Sequence, residues 1–465
     1  MKKRSTKSGR AKHKKQGLPA SLEHVNLNAA GIDIGSEEHY VAVPADRSEE
    51  SVRCFTCFTP ELHAMARWLK QCGIDTVAME STGVYWIPVF QILEQHGFEV
   101  NLVDARRVKS VPGRKSDVLD CQWLQQLHTY GLLAGAFRPD KDICVLRSYW
   151  RHRAELVESC ATQIHRMQKA LTQMNLHLHK AISDITGVTG MRIIRAIVAG
   201  ERDPQTLARM RHPLMKNSEQ TIADALTGDY REEHLFVLTQ TMELYDFYQQ
   251  KMARCDEQIQ RSMERLELKA DPKELEAKPK KRSKSSRRKN EPHFDLRASL
   301  YRMTGVDLTL IDGIDALTAQ TIICECGFDM SRFPTEKHFA SWLGLCPNNR
   351  KTGGKVFKTK TKEVHNRAAH ALRLAAQSLR TSKSALGAFF RRICARLGAP
   401  KAITAAAHKL ARLVYRMLKY GQDYVDKGQH YYEEKYQQRV LKNIKNRAKS
   451  IGYQLVSLET GELVS

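Results

Sequence analysis

No apolar run in this chain approaches the ~18 consecutive residues that a helical bilayer span requires, so an integral membrane protein of that kind is not expected. The first twenty residues hold eight Lys or Arg and no acid, but no apolar stretch follows them, and they do not read as a secretory signal. Disulfides are not expected either. The eleven cysteines are odd in number, follow no regular spacing, and fit reduced thiols in a cytoplasm. Cys54-Phe-Thr-Cys57 is a lone pair, and Cys324 and Cys326 stand only two apart, so nothing supplies zinc spacing and buried thiols are the plainer reading. A Walker A phosphate loop is missing as well, because Gly353-Gly354-Lys355 lacks the upstream glycine and the following Ser or Thr.

What is present is positive charge on an ordinary globular composition. The chain has 465 residues, 42% apolar and 27% charged, enough for about two to four domains and several cores. Lys and Arg number 75 against 51 Asp and Glu, a net charge of +24. Residues 1–20 contribute +8 and the run 278–289 (KPKKRSKSSRRK) another +8, which leaves +8 for the body. Dense basic runs of this kind bind phosphate backbones through counterion release, or serve only as solvated spacers. A further cluster, Arg350, Lys351, Lys355, Lys358, Lys360, Lys362 and Arg367, is opposed only by Glu363. The charge points to a polyanionic partner.

The hydrophobic pattern divides the chain. A basic tail (1–23) precedes a segment (24–140) in which Ala29–Ile34, Tyr40–Val43, Ser51–Cys57, Thr76–Met79 and Glu99–Val103 read as strands. Helices are expected at Glu61–Gln71, Ile87–Gln95 and Asp117–Tyr130. Three strands followed by helix–strand–helix–strand–helix is the order of a ribonuclease-H-like mixed sheet. From 141 to 268 two seams of three-and-four spacing run from Leu146 to Leu178, broken at Arg153, and from Leu235 to Leu266, broken at Gln249 and Asp256. Such seams signal a coiled coil within the chain or across a dimer, or two helices of an ordinary bundle. A basic linker (269–295), a mainly helical region (296–430) and a charged helix with a loose tail (431–465) complete the chain.

Four acids occupy telling places. Asp33 lies inside the first strand, Glu80 ends the fourth, and Asp117 and Asp120 stand three apart on one side of a helix. Carboxylates gathered in this way need a cation to offset their repulsion, and Mg²⁺ is the hard, oxygen-seeking choice. Taken singly, each acid is equally well a helix or strand-end cap.

The stretch MESTGVYWIPVFQILEQHGFEVNLVDARRVKSVPGRKSDVLDCQWLQQLHTYGLL, together with GIDIG, resembles the DEDD-type transposases of bacterial insertion sequences. Within them it is similar to the insertion-sequence 110 family and its 1111 subgroup, relatives of the Piv and MooV recombinases. The resemblance is dense over 30–137 and resumes over about 305–425. It implies a RuvC-like domain in which Asp33, Glu80, Asp117 and Asp120 hold Mg²⁺ (or Mn²⁺). It also implies a second domain bearing a Ser nucleophile, double-stranded DNA as substrate, and a structured guide RNA. A homodimer or homotetramer in a bacterial cytoplasm, near the nucleoid, is the implied setting.

In the C-terminal region LTLIDGIDALTAQTII (Leu308–Ile323) resembles a helix–hairpin–helix element, whose Gly313 turn would offer backbone N–H groups to a phosphate. For the similar segment Ile182–Ile197 an ordinary helical turn is preferred. Downstream, where the resemblance implies Ser before Gly-Gly, this chain has Lys351-Thr352-Gly353-Gly354. Thr352 is the expected nucleophile, although its β-methyl group crowds attack on phosphorus, and Ser341 is the fallback. Ser382 and Ser384 rank lower. The plainer alternative is an anion-binding turn in which Arg350, Lys351, Lys355, Lys358 and Lys360 hold the strand without covalent chemistry. Arg114 and Lys115, just ahead of the acidic helix, are expected to touch nucleic acid too.

The combined expectation is a DNA transposase or recombinase working by phosphoryl transfer. A hydrolytic junction nuclease would use the same tetrad with water as nucleophile. An actin-like phosphotransferase would explain GIDIGS but needs a second phosphate loop that is absent from the sequence. A noncatalytic packaging protein would depend on the basic tails alone.

Overall fold

The computed structural model describes residues 24–103, 117–275, 290–353, 355–358, 360–421, 428–454 and 456. Arg114, Lys115, residues 1–23 and the basic run 278–289 lie outside that set. The described residues form two compact units that part between Arg138 and Pro139.

In the first unit β1 (Ala29–Ile34), β2 (Glu38–Ala42), β3 (Val52–Thr56), β4 (Thr76–Glu80) and β5 (Glu99–Val103) make one sheet in the order β3-β2-β1-β4-β5. The first three strands pair antiparallel across short connections. β1, β4 and β5 run parallel, because α1 (Thr59–Gln71) and α2 (Trp86–Gln95) carry the chain back before β4 and β5. This mixed sheet with helices is the ribonuclease-H-like arrangement expected from the sequence. The strand alternation decides what each face meets. Ala30, Ile32 and Ile34 of β1 and Val77 and Met79 of β4 join Leu62, Met65 and Leu69 of α1 and Val89 and Leu93 of α2 in one core. Burying each large side chain there stabilises by about 1.5–3 kcal/mol. Ala78 and Val103 point to the other face, onto Trp123 and Leu124 of α3 (Asp117–Thr129).

The second unit opens with α4 (Lys141–Gln173), which leads out to a cap of shorter helices: α5 (Leu178–Ala181), α6 (Val188–Val198), α7 (Pro204–Arg209) and α8 (Glu219–Leu226). The chain returns through α9 (Glu232–Glu264). Each long helix has 33 residues, about 50 Å of length. They pair antiparallel with each other, so the two seams meet within the chain. Gln249 Nε2 donates to Cys160 Sγ at 3.5 Å, and Arg153 forms an ion pair with Asp256. Those two residues are 5% and 2% exposed. The first seam, expected to run on to Leu178, stops earlier. Asn175 turns the chain at a φ of 59°, and Leu178 joins the cap's core instead.

Beyond the long pair come α10 (Leu296–Thr304), α11 (Ala316–Cys326), α12 (Glu336–Trp342), a hairpin of β6 (Arg350–Thr352) and β7 (Lys355–Lys358), α13 (Arg367–Ser378), α14 (Ala385–Leu397), α15 (Ala399–Tyr420) and α16 (Gly428–Ser450). α11 docks on α4 through Trp150 Nε1 to Thr321 Oγ1 at 3.1 Å and a two-pronged Arg151–Glu325 contact at 2.9 and 2.6 Å. Among the described residues no helix is long and apolar enough to cross a membrane.

Candidate active site

The acidic face follows from three contacts. A Cβ built at Gly31 would lie 2.3 Å from the backbone nitrogen of Gln125 and 2.4 Å from the carbonyl oxygen of Cys121, so β1 packs backbone to backbone against α3 at this glycine. Asp33, two residues on, leaves β1 on the same side. β4 pairs with β1 in the register Gly31↔Ala78 and Ile32↔Met79, and the next step sets Asp33 beside Glu80, also on the α3 side. At the other end of α3, His128 Nε2 lies 2.8 Å from Thr76 Oγ1 at the start of β4, and Asn26 Nδ2 donates to the His128 carbonyl at 2.8 Å. α3 therefore runs opposite to β1 and β4. Its first turn, with Asp117 and Asp120, lies over the carboxyl ends of the strands, where Asp33 and Glu80 stand. The carboxyl edge of a parallel strand pair is where open α/β sheets commonly bind ligands.

Electrostatics agrees with that placement. Burial first, then the Asp33 and Asp120 carboxylates, push the Cys121 thiol up to about 12. On β3, burial followed by the carboxylates of Glu38 and Asp117 holds Cys54 above its ordinary value. Cys54 pairs with Tyr40, and Tyr40 with Asp33, so one row crosses the sheet as Cys54, Tyr40, Asp33 and Glu80. Tyr40 Oη donates to Glu38 Oε2 at 3.3 Å, and Cys54 and Glu38 raise its pKa. Sequence reading missed Tyr40, Cys54 and Glu38. Tyr40 was visible as a strand residue, but only the register of β2 and β3 brings the three to the acids.

Glu80 is buried, Asp33 and Asp120 are half-buried, and Asp117 is exposed. The donor set is all carboxylate and suits a hard cation. Its members share one face; among the described residues no three His, Cys, Asp or Glu side chains converge closely enough to hold one ion.

The Thr352 segment forms an antiparallel hairpin. Thr352 closes β6 opposite Lys355, the first residue of β7. Gly353 has a φ of 55°, a conformation that suits glycine, and a Cβ there would meet nothing within 4 Å. Thr352 is exposed at that tip. Arg350 and Lys351 lie on β6, Lys355 and Lys358 on β7, and the Lys360 carbonyl accepts from Asn348 N at 3.0 Å where the hairpin closes. Ser341 sits half-buried in the last turn of α12. Ser384 is committed elsewhere: its hydroxyl caps α14 by accepting from Gly387 N at 3.1 Å and receives Ser382 Oγ at 2.8 Å. Gly313 has a φ of 90°, and a Cβ there would lie 2.7 Å from the Ala375 carbonyl oxygen of α13. The following helix start is capped by Asp315, which accepts from Thr318 N at 2.9 Å. A carboxylate at that position opposes a phosphate, so this geometry favours helix packing at Gly313.

Two family comparisons bear on this arrangement. Residues 30–176, which hold the whole acidic tetrad, match the DEDD transposase family of IS110, described as transposase. Residues 307–391, which hold the hairpin, match the transposase IS116/IS110/IS902 family. No curated protein matches the chain. The first of these families implies a divalent metal, and both imply DNA as the partner. An enzyme that recombines DNA follows from both matches: the chain belongs to the IS110 family of insertion-sequence transposases.

Proposed function

We propose that this transposase cleaves and exchanges DNA strands by metal-assisted phosphoryl transfer with a side-chain hydroxyl as nucleophile, guided to its sites by a structured RNA. The observation that carries the reading is the placement of Asp33 beside Glu80 on adjacent strands, under the helix turn that bears Asp117 and Asp120. Mg²⁺ (or Mn²⁺), when held by these carboxylates, supplies the charge that polarises a phosphodiester and stabilises the leaving oxygen. The chain's own residues do the positioning. Asp33 and Glu80 project from a sheet whose register is fixed, and α3 is held at Gly31 and at His128, so its acids keep one height above the strands.

At the hairpin tip the Thr352 oxygen attacks phosphorus, forming a protein–DNA ester as the bond to a DNA oxygen breaks. A DNA hydroxyl then attacks the ester and releases Thr352. The cations of β6 and β7, with Lys360, hold the strand, and Arg114 and Lys115 supply charge ahead of the acidic helix. The net charge of +24 suits an RNA partner alongside DNA. Exchange between two duplexes calls for at least a homodimer.

The test is covalent trapping. Protein, Mg²⁺, element-end DNA and any co-purifying RNA are denatured and searched by mass spectrometry for a nucleotide-linked peptide. An adduct on Thr352 is expected, and one on Ser341 would move the nucleophile. Cleaved DNA without any adduct would favour the hydrolytic reading. Asp120→Asn should abolish cleavage while DNA binding persists, and retained cleavage would overturn the tetrad.

A further inference from the structure

The C-terminal helix α16 lies beyond both family matches, and the acidic site does not account for it. Its first turns are anchored. Tyr432 packs edge-on against Phe389 of α14, with ring centroids 6.2 Å apart, and the Arg392 guanidinium lies 5.2 Å from the Tyr432 ring and 2.8 Å from the Tyr436 ring. Arg391 Nη2 donates to Gln429 Oε1 at 2.7 Å. None of the helix's residues is buried, so its second half stands in solvent.

That second half carries Arg439, Lys442, Lys445, Arg447 and Lys449 and no acid. Arg439, Lys442, Lys445 and Lys449 are spaced by three, three and four, which stacks them on one side of the helix. None of them forms an ion pair with an acid among the described residues. Arg439 is felt at the anchor: burial first, then Arg439 and, from α15, Arg412 hold the Lys409 ammonium below its ordinary value.

We propose that this basic side of α16 is a docking surface for duplex DNA, engaging the phosphate backbone. The proposal rests on reading the chain as a DNA enzyme and adds a binding surface outside the catalytic face. Charge complementarity selects a polyanion, and a rigid helix selects the form. The major groove of B-DNA admits an α-helix, whereas that of an RNA duplex is too deep and narrow for side chains to read. α16 also presents Leu441 and Ile444, each 45% exposed, on another side. Self-pairing of two copies through that stripe would bring Lys445 and Arg447, which flank it, against like charges, so a second copy is the poorer occupant.

The test uses the full chain with Lys442→Gln/Lys445→Gln/Lys449→Gln, since Gln keeps helix propensity and removes charge. Binding to a duplex of arbitrary sequence is measured from 50 to 200 mM salt. Removal of three phosphate contacts should lower the slope of log K against log salt by about 2.7, so wild type should lose about 40-fold more affinity than the variant over that range. An unchanged slope overturns the proposal. So does a slope that changes for a structured RNA hairpin and not for duplex DNA. Leu441→Gln/Ile444→Gln should leave duplex binding and molecular mass unaltered. If it weakens binding and lowers the mass while the lysine variant binds normally, the helix joins copies of the chain and the proposal falls. Strand cleavage by Asp120→Asn tests the catalytic reading separately, because the α16 variants are read by binding alone.

Discussion

Gly31→Ala tests how the acidic face is held. The new Cβ would lie 2.3 Å from Gln125 N and 2.4 Å from Cys121 O, where ordinary contacts begin at 3.4 Å. Both obstacles are helix backbone, so no side chain can swing aside, and α3 must retreat by about 1 Å. Overpacking of this kind costs about 1–3 kcal/mol, which a domain with about 5–15 kcal/mol of stability survives. The chemistry should suffer more than the fold. Asp117 and Asp120 ride on the displaced helix, and a 1 Å misplacement of reacting groups lowers rates by about 10²-fold. The assay pairs urea unfolding with single-turnover strand cleavage normalised to folded protein. Expected are a destabilisation in that range, cleavage down by about 10²-fold, and duplex binding within about twofold of wild type. Cleavage within about threefold of wild type, in a protein that is destabilised as expected, would refute the argument that the height of α3 sets the reaction. No destabilisation at all would refute the close packing of β1 on α3.

Four further outcomes are expected. Asp256→Ala should cost about 3–5 kcal/mol in denaturant unfolding, because it leaves Arg153 buried without its partner, whereas Arg153→Met/Asp256→Leu should be neutral or stabilising. Burial holds the His128 pKa below its ordinary value, with Glu99 opposing. The unfolded chain takes up that proton near pH ~6.5, so stability is complete above that value and falls as pH drops towards the folded pKa. His128→Gln should flatten that fall in a pH series of melts, although His39, lowered by the same cause, will leave part of it. Glu336, held below the usual glutamate range by Arg416 and Arg412 against its own burial, works in the same direction. Glu336→Gln should destabilise at neutral pH, with the difference from wild type vanishing as pH falls through the folded Glu336 pKa. Thr352→Ser should still yield a trapped adduct and Thr352→Ala none, and an adduct in the alanine variant would exclude Thr352 as nucleophile.

The elements of the first unit were legible because their periodicity is strong and their boundaries lie at glycines and polar turns. Observed strand ends fall within two residues of those expected, and Asp33 and Glu80 could be placed because each marks a strand's carboxyl end. Their neighbours Tyr40 and Cys54 were not legible. Sideways contact depends on register, and nothing in the connections around β2 specifies it. The β6–β7 hairpin was missed for a different reason. Its strands are three and four residues long and rich in lysine, so they read as a charge cluster. Gly353-Gly354 between them was the available signal.

The long helices show a case in which apparent defects of the pattern carry the information. Arg153 and Asp256 weaken their seams when each is read alone, and the seams leave open whether the helices pair within the chain or across a dimer. Paired antiparallel, the two defects coincide, and His293 N adds a bond to Asp256 Oδ2 at 3.2 Å where the chain returns from the linker. A slip of one heptad would set Arg153 against Gln249 or Met263 and Asp256 against Leu146 or Cys160, each charge buried without its partner. Uncompensated burial of that kind costs about 3–5 kcal/mol, comparable to the packing of one or two large apolar side chains in the seam. The ion pair therefore adds little to the stability of the correct pairing and penalises the alternatives, and the double apolar variant should lose register specificity before it loses stability. Disulfide trapping between cysteines introduced at facing positions would show this as cross-links at heptad-shifted pairs. A single cross-linked pair in that variant would mean that the apolar side chains alone fix the register.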